Sequence, residues 1–230
     1  SEDIEVPGFN TIKLNFQPKA NNGQTITKTG KADREGINSE FITWEVDVNT
    51  NLIVNTDTDT TIFTDTLSGE HSFVGSPTVT VLNIFPNGEI TEAGLLNPEP
   101  TPLFDGNKLT IKLPNKAHTG YRINYTTQVG DPGNVESAAF GNIASYKTPT
   151  KEVKTEVNVK VGFGKPLEKE SSGPTATDLA TYWTIKYNFN KRSIPAANAE
   201  LTDVWTATQV SEGSVEVYKE DGSKVTSGYT

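Results

Sequence analysis

The sequence predicts an all-β protein of sandwich type, and three observations predict it. Thr, Asn, Val and Gly are abundant, while long helix-forming runs are absent. Apolar and polar residues alternate strictly over short segments, which is the period of a half-buried strand. Turn-forming clusters such as Pro86-Asn87-Gly88, Asp105-Gly106-Asn107 and Asp131-Pro132-Gly133 separate those segments. The clearest strand is Phe41–Asn49: Ile42, Trp44, Val46 and Val48 share one face, and Thr43, Glu45, Asp47 and Asn49 the other. The same alternation predicts strands over Thr11–Phe16, Thr61–Leu67, Thr78–Phe85, Lys108–Leu113, Tyr121–Val129 and Glu152–Phe163. The proline-rich stretch Glu92–Asp105 reads as a surface loop.

A chain of 230 residues suits one large or two medium domains, and 33% hydrophobic residues suffice for their cores. A formal net charge of −9 argues against nucleic acid as a partner, because phosphate binding needs a basic footprint. With no cysteine, disulfides and thiolate chemistry are excluded. No methionine is present and Ser1 opens the chain, so the sequence reads as a mature or trimmed fragment. No apolar run is long enough for a membrane span and no signal peptide is visible.

An internal repeat divides the chain. Lys28-Thr29-Gly30, then Ile42–Asn49, then Phe63-Thr64-Asp65 is followed by Lys169-Glu170-Ser171, then Tyr182–Asn188, then Leu201-Thr202-Asp203. Trp44 lies 16 residues after Lys28 and Trp183 lies 14 after Lys169, while Asp65 and Asp203 follow their tryptophans by 21 and 20. Such a long period predicts tandem domains of one type, 1–150 and 151–230, joined near Lys147–Lys151. The second domain is expected to be truncated, and to be completed by a continuation of the parent protein or by another chain.

Polar residues occupy slots where the alternation calls for apolar ones. Lys28 shares a face with Ile26, Asp65 with Phe63, and Asn142 with Phe140 and Ala144. Burying a lone Lys or Asp costs several kcal/mol, roughly, so these groups need partners, and each other is the economical choice. Desolvation lowers a lysine pKa and raises an aspartate pKa. A neutral Lys28 amine is a nucleophile, and a protonated Asp65 can polarise the Asn142 carboxamide and shuttle protons. Attack would expel ammonia and leave an amide that constrains the chain much as a disulfide does. Spacing alone favours the plainer alternative, a buried Lys28–Asp65 salt bridge beside a hydrogen-bonded Asn142.

Five segments in order carry a family resemblance: Lys28-Thr29-Gly30, Ile42–Val46, Phe63–Leu67, Ile123-Asn124-Tyr125-Thr126-Thr127 and Phe140-Gly141-Asn142. Together they resemble the collagen-binding domain family of Gram-positive cell-wall adhesins. The resemblance covers roughly residues 10–150, and 151–230 for the first part of a second copy. It implies an immunoglobulin-like sandwich with extra strands, and an isopeptide bond between Lys28 and Asn142 with Asp65 as proton shuttle. In the second copy, Lys169 and Asp203 match the lysine and aspartate, and no asparagine partner follows within the chain. The resemblance also implies an extracellular, wall-anchored parent with an extracellular-matrix ligand such as collagen among its partners. A stalk module with no ligand of its own is the alternative.

Weaker signals point elsewhere. Asn55–Asp59 has alternating oxygen ligands but lacks the glycine and distal glutamate of a calcium loop, and reads as a solvated loop. The threonines of Thr56–Thr66 reflect strand propensity rather than a flat ice-binding face. His71 and His118 are isolated, lack metal-ligand spacing and are expected at the surface. No phosphate loop, Ser-His-Asp set or paired carboxylates occur, so neither a cofactor nor a turnover enzyme such as a glycan hydrolase is expected.

Overall fold

The computed structural model describes residues 2–4, 12–14, 24–53, 61–85, 87–114, 116, 118–131, 133–206, 208–211 and 214–228. The Asn55–Asp59 segment lies outside them. The described chain is all-β, with fourteen strands, one short 3-10 helix and no α-helix. Two compact units divide it, residues 1–192 and 193–230.

The first unit contains two five-stranded antiparallel sheets. One has the order β3 (Ile26–Ala32), β4 (Phe41–Val48), β10 (Gly120–Val129), β6 (His71–Ile84) and β7 (Ile90–Leu95). The other has the order β12 (Glu152–Gly162), β11 (Ser137–Lys147), β5 (Thr61–Ser68), β9 (Lys108–Leu113) and β8 (Leu103–Asp105). Alternation decides which side chains meet between them. Trp44, Val46, Ile123 and Tyr125 of the first sheet share one core with Phe63, Ile111, Phe140 and Ala144 of the second. Burying each large apolar side chain contributes about 1.5–3 kcal/mol, so this shared face is what holds the sheets together.

Several elements differ from expectation. The strand expected from Thr78 begins at His71, because β6 passes Gly75 and Pro77 by a register shift opposite Asn124–Thr126. Gly75 takes φ +69 there, and a bulge tolerates the missing proline N–H. The stretch Glu92–Asp105 is only partly a loop, since β7 runs to Leu95 and β8 starts at Leu103. Leu96 between them is buried, which pins the intervening segment to the core. Glu152–Gly162, expected to open the second domain, pairs with β11 along its whole length, from Lys147↔Glu152 to Ser137↔Gly162. The first sandwich therefore continues through Gly162. The physical reason is a half-buried face of Val153, Val157 and Val159 packed against the core.

Two further two-stranded sheets complete this unit: β1 (Glu2–Ile4) with β2 (Ile12–Leu14), and β13 (Leu167–Ser172) with β14 (Tyr182–Tyr187). The second unit, taken alone, has a 3-10 helix at Ala196–Asn198 and an isolated bridge between Tyr218 and Lys224. Val204, Val210 and Val215 in it are each more than 80% exposed.

Candidate functional site

Lys28, Asp65 and Asn142 converge inside the sandwich. Lys28 comes from β3 in one sheet; Asp65 and Asn142 come from β5 and β11 in the other. Asn142 pairs with Leu67 and Ala144 with Asp65, so Asp65 and Asn142 are diagonal neighbours on the inward face. The Lys28 and Asp65 side chains are wholly shielded from solvent, and Asn142 is 0% exposed.

Lys28 Nζ donates to Asp65 Oδ2 at 2.5 Å and to the Tyr125 hydroxyl at 2.8 Å. The Tyr125 hydroxyl in turn donates to Asp65 Oδ2 at 2.5 Å, and accepts from Asn142 Nδ2 at 3.1 Å. Two oxygens in this buried cluster, Asp65 Oδ1 and Asn142 Oδ1, have no hydrogen-bond partner among the described residues. Unpaired buried acceptors are rare and costly, about 1–3 kcal/mol each. One proton on the Asp65 carboxyl would supply a donor that the heavy-atom arrangement lacks.

Burial drives the electrostatics towards neutrality. Desolvation pulls the Lys28 ammonium down to about 8, against the opposing attraction of Asp65. Desolvation likewise pushes the Asp65 carboxyl up, although Lys28, Tyr125 and Asn142 all favour its anion. The Tyr125 phenol is raised far above its ordinary value by burial and by the adjacent Asp65, so it stays protonated. The rings of Trp44 and Tyr125 flank the amine, with Nζ 4.9 Å and 5.5 Å from their centroids. An amine and a carboxyl that burial pushes towards their neutral forms, together with a carboxamide in the same hydrogen-bonded cluster, form a chemically competent set for amide exchange.

Sequence alternation singles out neither Tyr125 nor His71. Tyr125 lies on the inward face with Ile123 and Thr127, where an aromatic residue is ordinary core; its signal is that a buried phenol needs a partner. His71, expected at the surface, is partly buried between Trp44 and Phe140, with ring centroids 6.2 Å and 5.4 Å away. Trp44 Nε1 donates to Thr127 Oγ1 at 2.9 Å, and Thr127 Oγ1 lies 3.1 Å from His71 Nδ1. His118 is exposed, at φ +55. No group of three metal-ligating side chains occurs among the described residues. None of the described helices is long and apolar enough to cross a membrane.

The repeated lysine lies in the hairpin β13–β14. Lys169 pairs with Ile185 and Ser171 with Trp183, which is the register by which Lys28 pairs with Val46 and Gly30 with Trp44. Lys169 Nζ sits 4.4 Å from the Trp183 ring centroid. Asp203 belongs to the second unit, in an exposed segment without strand pairing.

A model of the collagen binding domain matches residues 23–156, more than half of the chain. The chain belongs to the collagen binding domain family. Lys28, Asp65, Tyr125 and Asn142 all fall within the matched collagen binding domain, whereas Lys169 and Asp203 lie beyond it. Solved structures are similar to the chain at low identity. The collagen binding subdomain of the Enterococcus faecalis surface protein ACE is 16% identical with a TM-score of 0.41, over 60% of this chain and 97% of that one. The collagen-binding domain of a Staphylococcus aureus adhesin is 15% identical with a TM-score of 0.41, over the same shares. The collagen binding domain of the Erysipelothrix rhusiopathiae surface protein RspB is 19% identical with a TM-score of 0.43, over 71% of this chain and 49% of that one. No curated protein sequence matches the chain.

Proposed function

We propose that this chain is part of an extracellular bacterial surface adhesin whose collagen binding domain locks itself by one intramolecular amide between Lys28 and Asn142. The observation that carries the cross-link is the convergence of Lys28, Asp65 and Asn142 in the buried core, with two acceptor oxygens that no described protein group satisfies. The neutral Lys28 amine attacks Cγ of Asn142 while the Asp65 acid hydrogen-bonds the carboxamide oxygen. The Nζ–Cγ bond forms, the Cγ–Nδ2 bond breaks, and Nδ2 leaves as ammonia. The event happens once per molecule, so the chain is not a turnover enzyme.

Family membership supports the adhesin reading. An extracellular-matrix protein such as collagen is the proposed ligand class, with the parent anchored to the cell wall. The residues from the β13–β14 hairpin onward are proposed to begin a second module of the same type, in which Lys169 and Asp203 stand for the corresponding pair. A stalk role is the second reading, favoured by the position of the bond: it would tie β3 at the start of the sandwich to β11 near its end.

Intact mass of the denatured protein tests the bond. Wild type is expected to weigh one ammonia less than its sequence, and Asn142→Ala to have its full calculated mass. An unmodified wild-type mass would leave only a buried salt bridge. Saturable binding to immobilised collagen tests the ligand; its absence would favour the stalk.

A further inference from the structure

We propose that Tyr125 carries the proton from the attacking Lys28 amine to the departing Asn142 amide nitrogen, leaving Asp65 to serve the carbonyl oxygen. This assignment rests on the reading of the cluster as a cross-linking site. The exchange of an amine for an amide nitrogen requires one net proton transfer. A neutral lysine amine enters with two hydrogens and ends with one; the Asn142 nitrogen enters with two and departs with three. Some group must therefore connect Nζ to Nδ2.

The Tyr125 hydroxyl has that connection. It lies 2.8 Å from Lys28 Nζ and 3.1 Å from Asn142 Nδ2, and it hydrogen-bonds to each of the other three members of the cluster. A hydroxyl both accepts and donates, so it relays a proton without storing one. In the resting state its proton points to Asp65 Oδ2. Attack by Lys28 converts the planar amide nitrogen into a tetrahedral amine with a free lone pair. The hydroxyl then rotates, donates to Nδ2 and takes the surplus proton from Nζ. The C–N bond to Nδ2 breaks, ammonia leaves, and Tyr125 regains its hydroxyl. Nothing is oxidised and no co-reactant is needed. Burial keeps the phenol protonated, which suits a concerted relay and excludes a standing phenolate.

The test follows bond closure in the freshly made full chain, by cell-free synthesis, timed acid quench and intact mass. Tyr125→Phe is expected to shed its ammonia at least about a hundredfold more slowly than wild type, the usual scale for a lost acid–base group. Its near-ultraviolet circular dichroism should remain native-like. In a second arm, 3-fluorotyrosine is placed at position 125, which keeps the hydroxyl and makes it more acidic. A changed closure rate with an unchanged melting temperature supports the relay, and this arm decides the matter if Tyr125→Phe does not fold. Closure of Tyr125→Phe at the wild-type rate overturns the relay while leaving the cross-link intact. A slow Tyr125→Phe beside a fluorotyrosine protein of wild-type rate overturns it too, since Tyr125 would then only hold its neighbours in place. A wild-type chain that keeps its ammonia removes the cross-link and the relay together.

Discussion

The backbone carbonyl of Gly141 lies 3.2 Å from His71 Nε2, one residue before Asn142. A carbonyl only accepts, so Nε2 carries the proton and Nδ1 is the acceptor for the Thr127 hydroxyl. Thr127 is thereby free to accept from Trp44 Nε1. His71 thus fastens β6 of one sheet to β11 of the other beside the buried cluster.

That tie makes stability depend on pH. Desolvation holds the His71 imidazole below its ordinary value. As pH falls, the unfolded chain takes up this proton before the folded one does, so the His71 contribution is present at neutral pH and lost on acidification. Urea midpoints are expected to drop between about pH 7 and 5 more steeply in wild type than in His71→Gln. Parallel curves would show that His71 is not the titrating group.

The proposed bond and the buried pair are expected to make separable contributions to stability. Closing a loop from residue 28 to 142 constrains the unfolded chain, so Asn142→Ala should lower unfolding free energy by about 3–5 kcal/mol. Within that uncross-linked background, adding Asp65→Ala strands a buried lysine and should cost about a further 3–5 kcal/mol. The combination Lys28→Met with Asp65→Leu removes both buried titratable groups and is expected to recover most of that second loss. Chemical denaturation of the series measures each step; an equally unstable double replacement would contradict the desolvation account.

Gly30 is required by a close approach rather than by its backbone angles. A Cβ there would lie 2.5 Å from Trp44 Cζ3 and 2.7 Å from Val159 Cγ2. Gly30→Ala is expected to destabilise by about 1–3 kcal/mol through overpacking. Because Trp44 also lines the Lys28 amine, its near-ultraviolet signal should change and bond closure should slow.

Arg122 spans the outer face of the first sheet, with Nε and one terminal nitrogen each 2.8 Å from the two Asp47 carboxylate oxygens. Such a forked pair on a nearly buried carboxylate resists salt better than a single exposed contact. Arg122→Met should lower stability by about 1–3 kcal/mol. A loss that vanishes in high salt would reduce the pair to surface electrostatics.

Strand alternation made β4, β9 and β10 legible, because each has one face packed and one wet. It also exposed the unusual inward placement of Lys28, Asp65 and Asn142, since a charged side chain breaks an apolar pattern visibly. Tyr125 breaks no pattern, and its role emerges only when strands distant in sequence bring three polar partners to its hydroxyl. His71 was opaque for the same reason: Trp44, Thr127 and Gly141 each reach it from a different strand. The sandwich extends through β12 because of pairing with β11, a tertiary choice that an alternating segment does not declare. β7 and β8 were hidden by prolines that lie between them, not within them.

The shared register of the two hairpins bears on when the amine meets its partners during folding. Lysine beneath tryptophan recurs in β13–β14, where Trp183 is 48% exposed, so the pairing needs no closed core. Contacts within a hairpin form early, while those between remote strands wait for the slow search of chain topology. Asp65 is 37 residues from Lys28 and Tyr125 is 97. Lys28 is therefore expected to meet its tryptophan first, and the acid and the amide only as the sandwich shuts. For the proposed bond, that order would work as a checkpoint: a chain that does not bury the amine would not close it, and only a correctly folded molecule would become irreversible.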